Sequence, residues 1–101
     1  MTRKILIDMN ESSFQKELFN LEKSEQRALL NTLRKISQLN WNELYRDKGI
    51  RWELITSSKF EKTDIYSFRF SQKYRGTAYR EGDYLVLLNI FVDHDGAYRQ
   101  P

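Results

Sequence analysis

The sequence predicts an α+β domain with helices packed on one face of a mostly antiparallel sheet, in the order β-α-α-β-β-β. Apolar residues at helical spacing are confined to the N-terminal half, where two amphipathic segments follow each other. A period of two dominates the C-terminal half, and one run there is apolar on both faces. Because the helices and the strands are segregated along the chain, the pattern favours α+β over an alternating α/β fold.

Length and composition limit both the architecture and the chemistry. The 101 residues are enough for one hydrophobic core, so we expect one domain over residues 1–101. Hydrophobic residues make up 40% of the chain and charged residues 31%, which is typical of a globular protein. The absence of Cys and the single His exclude disulfides, thiolate metal sites and multi-histidine metal sites. We therefore expect no metal and no cofactor.

The apolar runs are far shorter than the ~20 residues that a membrane helix needs. Asp8 interrupts the apolar run near the N-terminus, so no signal-peptide core follows the first basic residues. We expect a cytoplasmic protein without a membrane partner. The net charge of +3 and the isoelectric point of about 9.2 are a mild positive bias, which alone does not identify a nucleic-acid partner.

The N-terminal half predicts a short strand and two helices. Residues 2–9 carry an apolar centre inside a charged frame, which favours an edge strand. Ser12 and Gln15 have the spacing of a capping box, and Ser24 is the candidate N-cap of the second helix. The apolar stripes of the two helices are formed by Phe14, Leu18 and Leu21, and by Leu29, Leu33 and Ile36. Such stripes form core more often than partner grooves, so we expect an αα-hairpin laid on the sheet.

The middle of the chain leaves several interpretations open. Trp41, Leu44 and Tyr45 form a short apolar cluster that either continues the second helix or starts a new turn. Residues 51–55 fit a strand, an irregular cover or a lead-in to the sheet. Residues 56–64 are predicted to form a polar loop.

The central feature of the sequence is a basic and aromatic tract over residues 66–80. It contains four Lys or Arg residues, five aromatic residues and no acidic residue. Alternation predicts strands over residues 66–70 and 74–80, followed by a hairpin turn at residues 81–83. The next strand, residues 84–91, is apolar on both faces, so we expect it to be the most buried.

The strand over residues 74–80 divides its side chains between two faces. Gly76 and Ala78 share one face, where small residues let a helix pack closely, and Arg75, Thr77 and Tyr79 share the other. An open sheet face with Arg and Tyr and without a nearby acid can hold a phosphate backbone and stack a base. The alternative is an ordinary solvated sheet face.

His94 is the only residue of the chain whose side-chain type titrates near neutrality. It directly follows the apolar strand, and Tyr98 lies four residues later, where a helical turn would bring it to the same spot. Asp93 and Asp95 flank the histidine and are placed to orient its imidazole. The alternative is a plain turn, because Asp-His-Asp-Gly is a common turn sequence.

Three features together resemble the RelE/ParE superfamily of bacterial toxins, the toxin halves of type II toxin–antitoxin pairs. These are the element order, the tract Tyr66-Ser-Phe-Arg69 to Tyr74-Arg75-Gly-Thr-Ala-Tyr79-Arg80 with its Glu-Gly-Asp hairpin, and the terminal Asp93-His94-Asp95-Gly-Ala-Tyr98. The resemblance implies a microbial ribonuclease-like fold.

For RelE-like members, the resemblance implies metal-independent cleavage of messenger RNA on the ribosome, through attack of a ribose 2′-OH on the adjacent phosphate. The family's sheet arginine corresponds to Arg75, which would hold the charge that develops on the phosphate. Its C-terminal His or Arg corresponds to His94, and its final aromatic residue to Tyr98. Some members use a Glu as base, and Glu61 is the nearest match.

The resemblance also implies RNA contacts and a partner. The basic loop residues of the family fall on Lys59 and Lys62. The tract adds further candidate RNA-binding side chains, namely Arg69, Lys73, Tyr79 and Arg80. The expected partners are messenger RNA on the ribosome and a cognate antitoxin, which would cover the helical face or place an acidic segment in a basic groove. The side chains of that groove are Arg69, Lys73, Arg75 and Arg80.

Two other functions stay open. ParE-like members share the scaffold, lack the ribonuclease residues and inhibit DNA gyrase. A non-catalytic nucleic-acid-binding module would use the surface of residues 66–80 without any chemistry. The presence of both His94 and Tyr98 favours the ribonuclease branch.

Overall fold

Three helices pack against a five-stranded mixed sheet over residues 3–60 and 63–93, the part of the chain that the computed structural model describes. The elements are β1 (Leu6–Asp8), α1 (Ser12–Asn20), α2 (Lys23–Ser37), α3 (Trp41–Arg46), β2 (Glu53–Phe60), β3 (Thr63–Arg69), β4 (Tyr74–Glu81) and β5 (Tyr84–Val92). The strands lie in the order β1-β5-β4-β3-β2, with β1 parallel to β5 and the other neighbours antiparallel. The predicted fold class is confirmed, and α3 and β2 are added to the predicted order.

A capping box makes α3 a separate helix and decides between the two interpretations of this segment. The Asn40 side chain accepts a hydrogen bond from Glu43 N at 2.9 Å, and the Glu43 carboxylate accepts one from Asn40 N at 2.9 Å. This reciprocal pair satisfies two backbone donors that a helix start leaves free. Trp41 and Leu44 of α3 are then buried in the core.

The caps predicted for the first two helices are wrong. Helix α1 includes Ser12, and its N-cap Glu11 makes no side-chain cap bond. The Gln15 amide donates instead to Met9 O at 2.7 Å, so it fixes the preceding chain rather than the helix start. Ser24 likewise lies inside α2, after the N-cap Glu22.

The prediction of a polar loop over residues 56–64 is also wrong for residues 56–60 and 63–64, the part of this range that the structure describes. Strand β2 continues to Phe60, and β3 begins at Thr63. The two strands pair Lys59 with Asp64 and Phe60 with Thr63, after a register shift that follows Leu54. An edge strand needs no apolar alternation, because backbone pairing with one neighbour can hold it in the sheet.

The core lies on one face of the sheet, between its strands and all three helices. The helices contribute Phe14, Leu29, Leu33, Ile36, Trp41 and Leu44, and the strands contribute Phe68, Ala78, Leu85, Leu87 and Ile90. Gly76 faces the same way, and a Cβ built there would lie 2.4 Å from Cζ of Phe68. The small residue predicted to admit a helix therefore admits the Phe68 ring.

Helix α1 covers the edge of β5 beyond its pairing with β1. The Ser13 hydroxyl donates to Leu88 O at 3.0 Å, and the Glu17 carboxylate accepts from Ile90 N at 2.9 Å. Strand β5 also carries a bulge at Leu88, because Thr77 pairs with Asn89 whereas the next residue of β4 pairs with Leu87. Side chains of α1 thus satisfy strand groups that would otherwise form an open edge.

Among the helices of the described residues, none is long and apolar enough to cross a membrane.

Candidate active site

Arg75 is a buried cation on the sheet face opposite the helices. Only 6% of the residue is exposed, so the face is less open at this point than the sequence indicated. Its Nη2 atom donates to Ser67 Oγ at 2.9 Å, to Glu53 Oε1 at 3.1 Å and to Arg51 O at 3.2 Å. Three acceptors from two segments of the chain therefore hold one guanidinium, which restricts its orientation.

The strand register explains why these residues meet. Glu53 of β2 pairs with Ser67 of β3, which in turn pairs with Thr77 of β4. Arg75 lies two residues before Thr77 and shares its face. The short Ser67 side chain leaves room for the guanidinium to reach across β3 to the Glu53 carboxylate.

Arg51 precedes β2 and contributes both its backbone and its side chain. Its φ angle is 56°, in the left-handed region that non-glycine residues rarely adopt. In this conformation its carbonyl accepts from Arg75, and its own guanidinium lies 3.5 Å from Glu53 Oε2. The Glu53 carboxylate is thereby shared between two arginines, and these contacts hold the strained backbone of Arg51 in its conformation.

A cavity of about 300 Å³ opens beside this network. It is lined by Glu53, Ile55, Ser67, Arg75, Phe91, Val92 and Asp93. One part of the lining is charged and the other is apolar, as is usual for small-molecule sites. Asp93 is 7% exposed, and its backbone N donates to Lys73 O at 2.7 Å, which fixes the chain where it leaves β5.

The other basic and aromatic candidates of β3 and β4 do not form one groove. Tyr79 is half-buried on the face of Arg75. Arg69 lines a separate cavity of about 410 Å³ together with Lys35. Lys73 is exposed in the β3–β4 turn, with its Nζ 5.5 Å from the Tyr74 ring centroid.

Arg80 lies on the opposite face of the sheet from Arg75. Its guanidinium carbon is 4.5 Å from the centroid of the Trp41 ring, and its Nε donates to Gly82 O at 3.0 Å. The groove of four cations expected from the sequence is therefore divided between two faces. Alternation along β4 is the physical reason, because residues 75 and 80 are separated by an odd number of positions.

Several predicted site residues lie outside the described residues: His94, Tyr98, Lys62 and the alternative base Glu61. The backbone of Lys59 is described, in β2 opposite Asp64, but the side chain is outside the description. The roles assigned to these residues stay predictions.

Glu53 is the site residue that sequence reasoning missed. The sequence interpretation left the structure of residues 51–55 open, and the partner of Glu53, Arg75, lies 22 residues further along the chain. The sequence did contain a signal for a strand, because the charged residues Arg51 and Glu53 alternate with apolar neighbours up to Ile55. That signal becomes useful only when the register of β2 against β3 is known. Within the described residues, no cluster of three His, Asp or Glu side chains is arranged to hold a metal ion.

Comparisons with known proteins bear on the fold. No family model and no curated protein sequence matches the chain. The structure is similar to a chain of the archaeal RelE–RelB complex from Pyrococcus horikoshii OT3, with 17% identity and a TM-score of 0.63 over 91% of this chain and 96% of that chain. It is also similar to a copper-bound mutant toxin from Helicobacter pylori, with 18% identity and a TM-score of 0.51 over 94% of this chain and 98% of that one. Similarity at these identities concerns the fold, and the chain has the α+β fold of RelE-like toxins.

Proposed function

We propose that this chain is the toxin of a toxin–antitoxin pair and acts as a metal-independent, ribosome-dependent endoribonuclease on messenger RNA. The observation that carries the proposal is Arg75, held by three acceptors beside the Glu53 carboxylate in a cavity on the face opposite the helices. A fixed cation next to a carboxylate supplies two of the three groups that cleavage through a 2′-OH requires.

Arg75 is proposed to stabilise the charge that develops on the attacked phosphate. An arginine side chain carries five N–H donors. Among the described residues, protein acceptors contact only its Nη2 atom. The N–H groups of Nη1 and Nε are thus left to bind phosphate oxygens, and a preorganised donor of this kind is usually the largest catalytic contribution.

Glu53 is proposed as the general base. Its side chain is 52% exposed and lies 3.1 Å from Arg75, so a phosphate bound to Arg75 would bring the neighbouring ribose close to the carboxylate. The carboxylate would take the 2′-OH proton while the 2′-oxygen bonds to phosphorus and the bond from phosphorus to the 5′-oxygen breaks. The products are a 2′,3′-cyclic phosphate and a 5′-hydroxyl.

His94 is proposed to give the 5′-oxygen its proton, and Tyr98 to stack on or orient a base. The support for His94 is its place in the chain, one peptide bond after Asp93, which lines the cavity. Imidazole can donate a proton near neutral pH, whereas an ordinary tyrosine is a poor base there. Lys59, Lys62, Arg69, Lys73, Tyr79 and Arg80 stay candidates for RNA contacts outside the reacting centre.

The antitoxin partner is supported by the Pyrococcus protein, which was crystallised as a RelE–RelB complex. A protein that carries exposed basic side chains beside its proposed active site suits an acidic partner segment. We expect such a segment to contact Lys73 and to cover the cavity of Arg75.

A second function is favoured by one observation. Arg75 is almost fully buried and paired with Glu53, which is also what a purely structural ion pair would show. In that case the chain is a ParE-like inhibitor of gyrase or a binding module, and the pair only stabilises the sheet.

The test is expression of the chain without its neighbouring gene, followed by mapping of RNA 5′ ends. The proposal expects growth arrest, new 5′-hydroxyl ends in translated messages, and neither effect with Arg75→Ala. Purified chain should also cut ribosome-bound message in excess chelator, with the ribosomes kept intact by other means. Growth arrest with unchanged message ends would favour the gyrase inhibitor.

A further inference from the structure

Helix α3 and the turn after it place exposed cations and an exposed aromatic ring next to the Arg75 cavity. Arg46 and Lys48 are exposed, and Tyr45 is 47% exposed. A second cavity of about 290 Å³ is lined by Tyr45, Arg46, Asp47, Lys48, Arg51, Trp52 and Glu53. Glu53 lines this cavity and the Arg75 cavity alike, so one side chain lies between the two. We call the surface of Tyr45, Arg46, Lys48 and Arg51 the α3 surface.

The Tyr45 ring is held in a fixed position. Its centroid lies 6.0 Å from the Tyr66 ring in an edge-on arrangement and 6.4 Å from the Trp41 ring. The Trp52 ring closes the cluster, because it is stacked on the Tyr66 ring at 4.7 Å and lies edge-on to the Trp41 ring at 5.9 Å between centroids. A hydrogen bond between the hydroxyls of Tyr66 and Tyr45 adds a polar restraint and, with burial, raises the pKa of Tyr66 to about 12. The exposed part of Tyr45 is therefore a preorganised platform.

The two acids that line this cavity, Asp47 and Glu53, are both paired with basic side chains. Asp47 accepts from the backbone N of Gly49 and of Ile50 at 2.9 Å each, and lies 3.0 Å from Lys35 Nζ. Burial raises the pKa of Asp47, but the hydrogen bonds from Ile50 N and Lys35 outweigh burial and hold the pKa below its ordinary value. With Asp47 paired in this way and Glu53 shared by two arginines, Arg46 and Lys48 leave the α3 surface positive.

We propose that the α3 surface binds the single-stranded RNA that continues from the nucleotide held at Arg75, with Tyr45 stacked on a base and Arg46 and Lys48 on phosphates. The inference rests on the proposed function for the position of the cleaved phosphate. A fixed aromatic ring interleaved with cations is the arrangement by which proteins bind single strands without reading their sequence. An acidic peptide would use the cations but not the ring, so the surface fits RNA better.

The experiment measures binding without cleavage. The probes are fluorescein-labelled RNA oligonucleotides of about 3 and about 12 nucleotides, with 2′-O-methyl riboses that cannot attack the phosphate. We expect the parent chain to bind the longer probe at least tenfold more tightly than the shorter one, because only the longer probe spans both cavities. The variant Arg46→Ala/Lys48→Ala should lose most of that advantage and leave the binding of the short probe unchanged.

Salt dependence counts the phosphate contacts. Each contact to a single strand contributes about 0.7 to the slope of log affinity against log salt, so the double variant should lower the slope for the long probe by about 1.4. The control Lys16→Ala/Lys23→Ala removes the same charge from exposed positions of α1 and α2 and should keep the slope. Tyr45→Ala should weaken the long probe about fivefold or more, whereas Tyr45→Phe, which keeps the ring, should stay within about twofold of the parent.

A second readout localises the effect. The chain has two tryptophans, and both belong to the ring cluster beneath Tyr45, so the long probe should change tryptophan emission in the parent and not in Tyr45→Ala.

Equal loss of affinity in both double variants would overturn the proposal, because only net charge would then matter. Release of a co-purified protein partner with unchanged RNA affinity would overturn it in favour of an acidic partner. These outcomes are independent of whether the chain cleaves message, so the proposed function and the α3 surface can fail separately.

Discussion

The Nη2 atom of Arg75 lies 3.1 Å from Oε1 of Glu53, although β3 runs between their strands. If Glu53 is the general base, Glu53→Gln should lower the rate of message cleavage by about 10²–10⁴-fold. The amide oxygen can still accept from Arg75, so the fold should be kept. The measurement is single-turnover cleavage of ribosome-bound message, with a melting curve beside it. A folded Glu53→Gln protein with the parental rate would show that the carboxylate only stabilises the sheet.

Arg75→Ala tests the cation itself. Removing one charge-stabilising donor typically costs about 10²–10³-fold in rate, and we expect a loss of that size here. Because Arg75 is buried, the substitution also leaves Ser67 Oγ and Arg51 O without their donor, which should lower the free energy of unfolding by about 1–3 kcal/mol. A site on a fully open face would show no such loss of stability.

Arg75→Lys separates the two effects in the same measurements. It keeps the charge but not the planar fork that can contact protein and phosphate at once. Cleavage should therefore stay impaired while most of the stability returns. Parental cleavage by a folded Arg75→Ala protein would remove Arg75 from the mechanism.

His94→Ala and the two substitutions of Tyr98 test the C-terminal part of the proposal. Loss of a proton donor should lower the cleavage rate by about 10²–10⁴-fold. Tyr98→Phe should lower the cleavage rate less than Tyr98→Ala does if the ring stacks on a base. Cleavage assayed on ribosome-bound message distinguishes these cases, and a fully active His94→Ala protein would require another acid.

Local patterns were sufficient to predict the α+β class and the division of β4 into two faces. Alternation placed Gly76 and Ala78 towards the core and Arg75 on the other side, and the structure confirms both. Alternation also places Arg75 and Arg80 on opposite faces, but the sequence interpretation grouped them because both are basic residues of one tract. Counting charges along a strand without regard to its two faces therefore predicted too many cations in the groove.

Long-range pairing explains what the sequence could not show. The contact between Arg75 and Glu53 depends on the register of β2 against β3, which includes an irregularity after Leu54. Strand β2 itself has no apolar alternation beyond its first residues, because an edge strand is held mainly by its backbone. No local signal predicted that residues 56–60 extend a sheet, so the role of Glu53 stayed hidden.

The hydroxyl pair of Tyr66 and Tyr45 predicts a stability change in alkali. The hydrogen bond that the Tyr66 hydroxyl donates to Tyr45, with burial, raises the pKa of Tyr66 from 10.0 to about 12. A pKa raised by folding means that the unfolded chain loses the proton first. The contribution of the pair is complete below pH 10 and is lost as the pH rises towards about 12.

Tyr66→Phe keeps the ring stacked on Trp52 and removes the hydroxyl, so its stability should fall less steeply over that window. The measurement is the free energy of unfolding in urea at a series of pH values. Tyr84→Phe, which removes a hydroxyl from a residue that is 48% exposed, is the control and should follow the parent. Identical curves for Tyr66→Phe and the parent would contradict the hydroxyl pair.

Gly76→Ala tests whether the Phe68 ring, rather than a helix, sets the residue at this position. Replacing glycine in a strand usually stabilises a protein by about 0.4–1 kcal/mol, because the unfolded chain loses freedom. Here the added Cβ would lie 2.4 Å from Cζ and 2.6 Å from Cε1 of Phe68, a ring with no exposed surface. A rigid buried ring cannot yield by that amount, so we expect a net loss of about 1–3 kcal/mol in urea unfolding.

Gly49→Ala is the matched control for that substitution, because the Cβ there would meet only Asp47 Oδ1 at 3.4 Å and Lys35 Nζ at 4.0 Å. It should be neutral or stabilising.

Phe68→Leu should lower the free energy of unfolding less in the Gly76→Ala background than in the parent, because the smaller side chain relieves the clash. The expected coupling between the two substitutions is about 0.5–3 kcal/mol. Gly76→Ala should also slow message cleavage, since the neighbouring Arg75 moves with the displaced strand. A Gly76→Ala protein as stable as Gly49→Ala would show that β4 and Phe68 can separate freely, and the rigid placement of Arg75 would then need another cause.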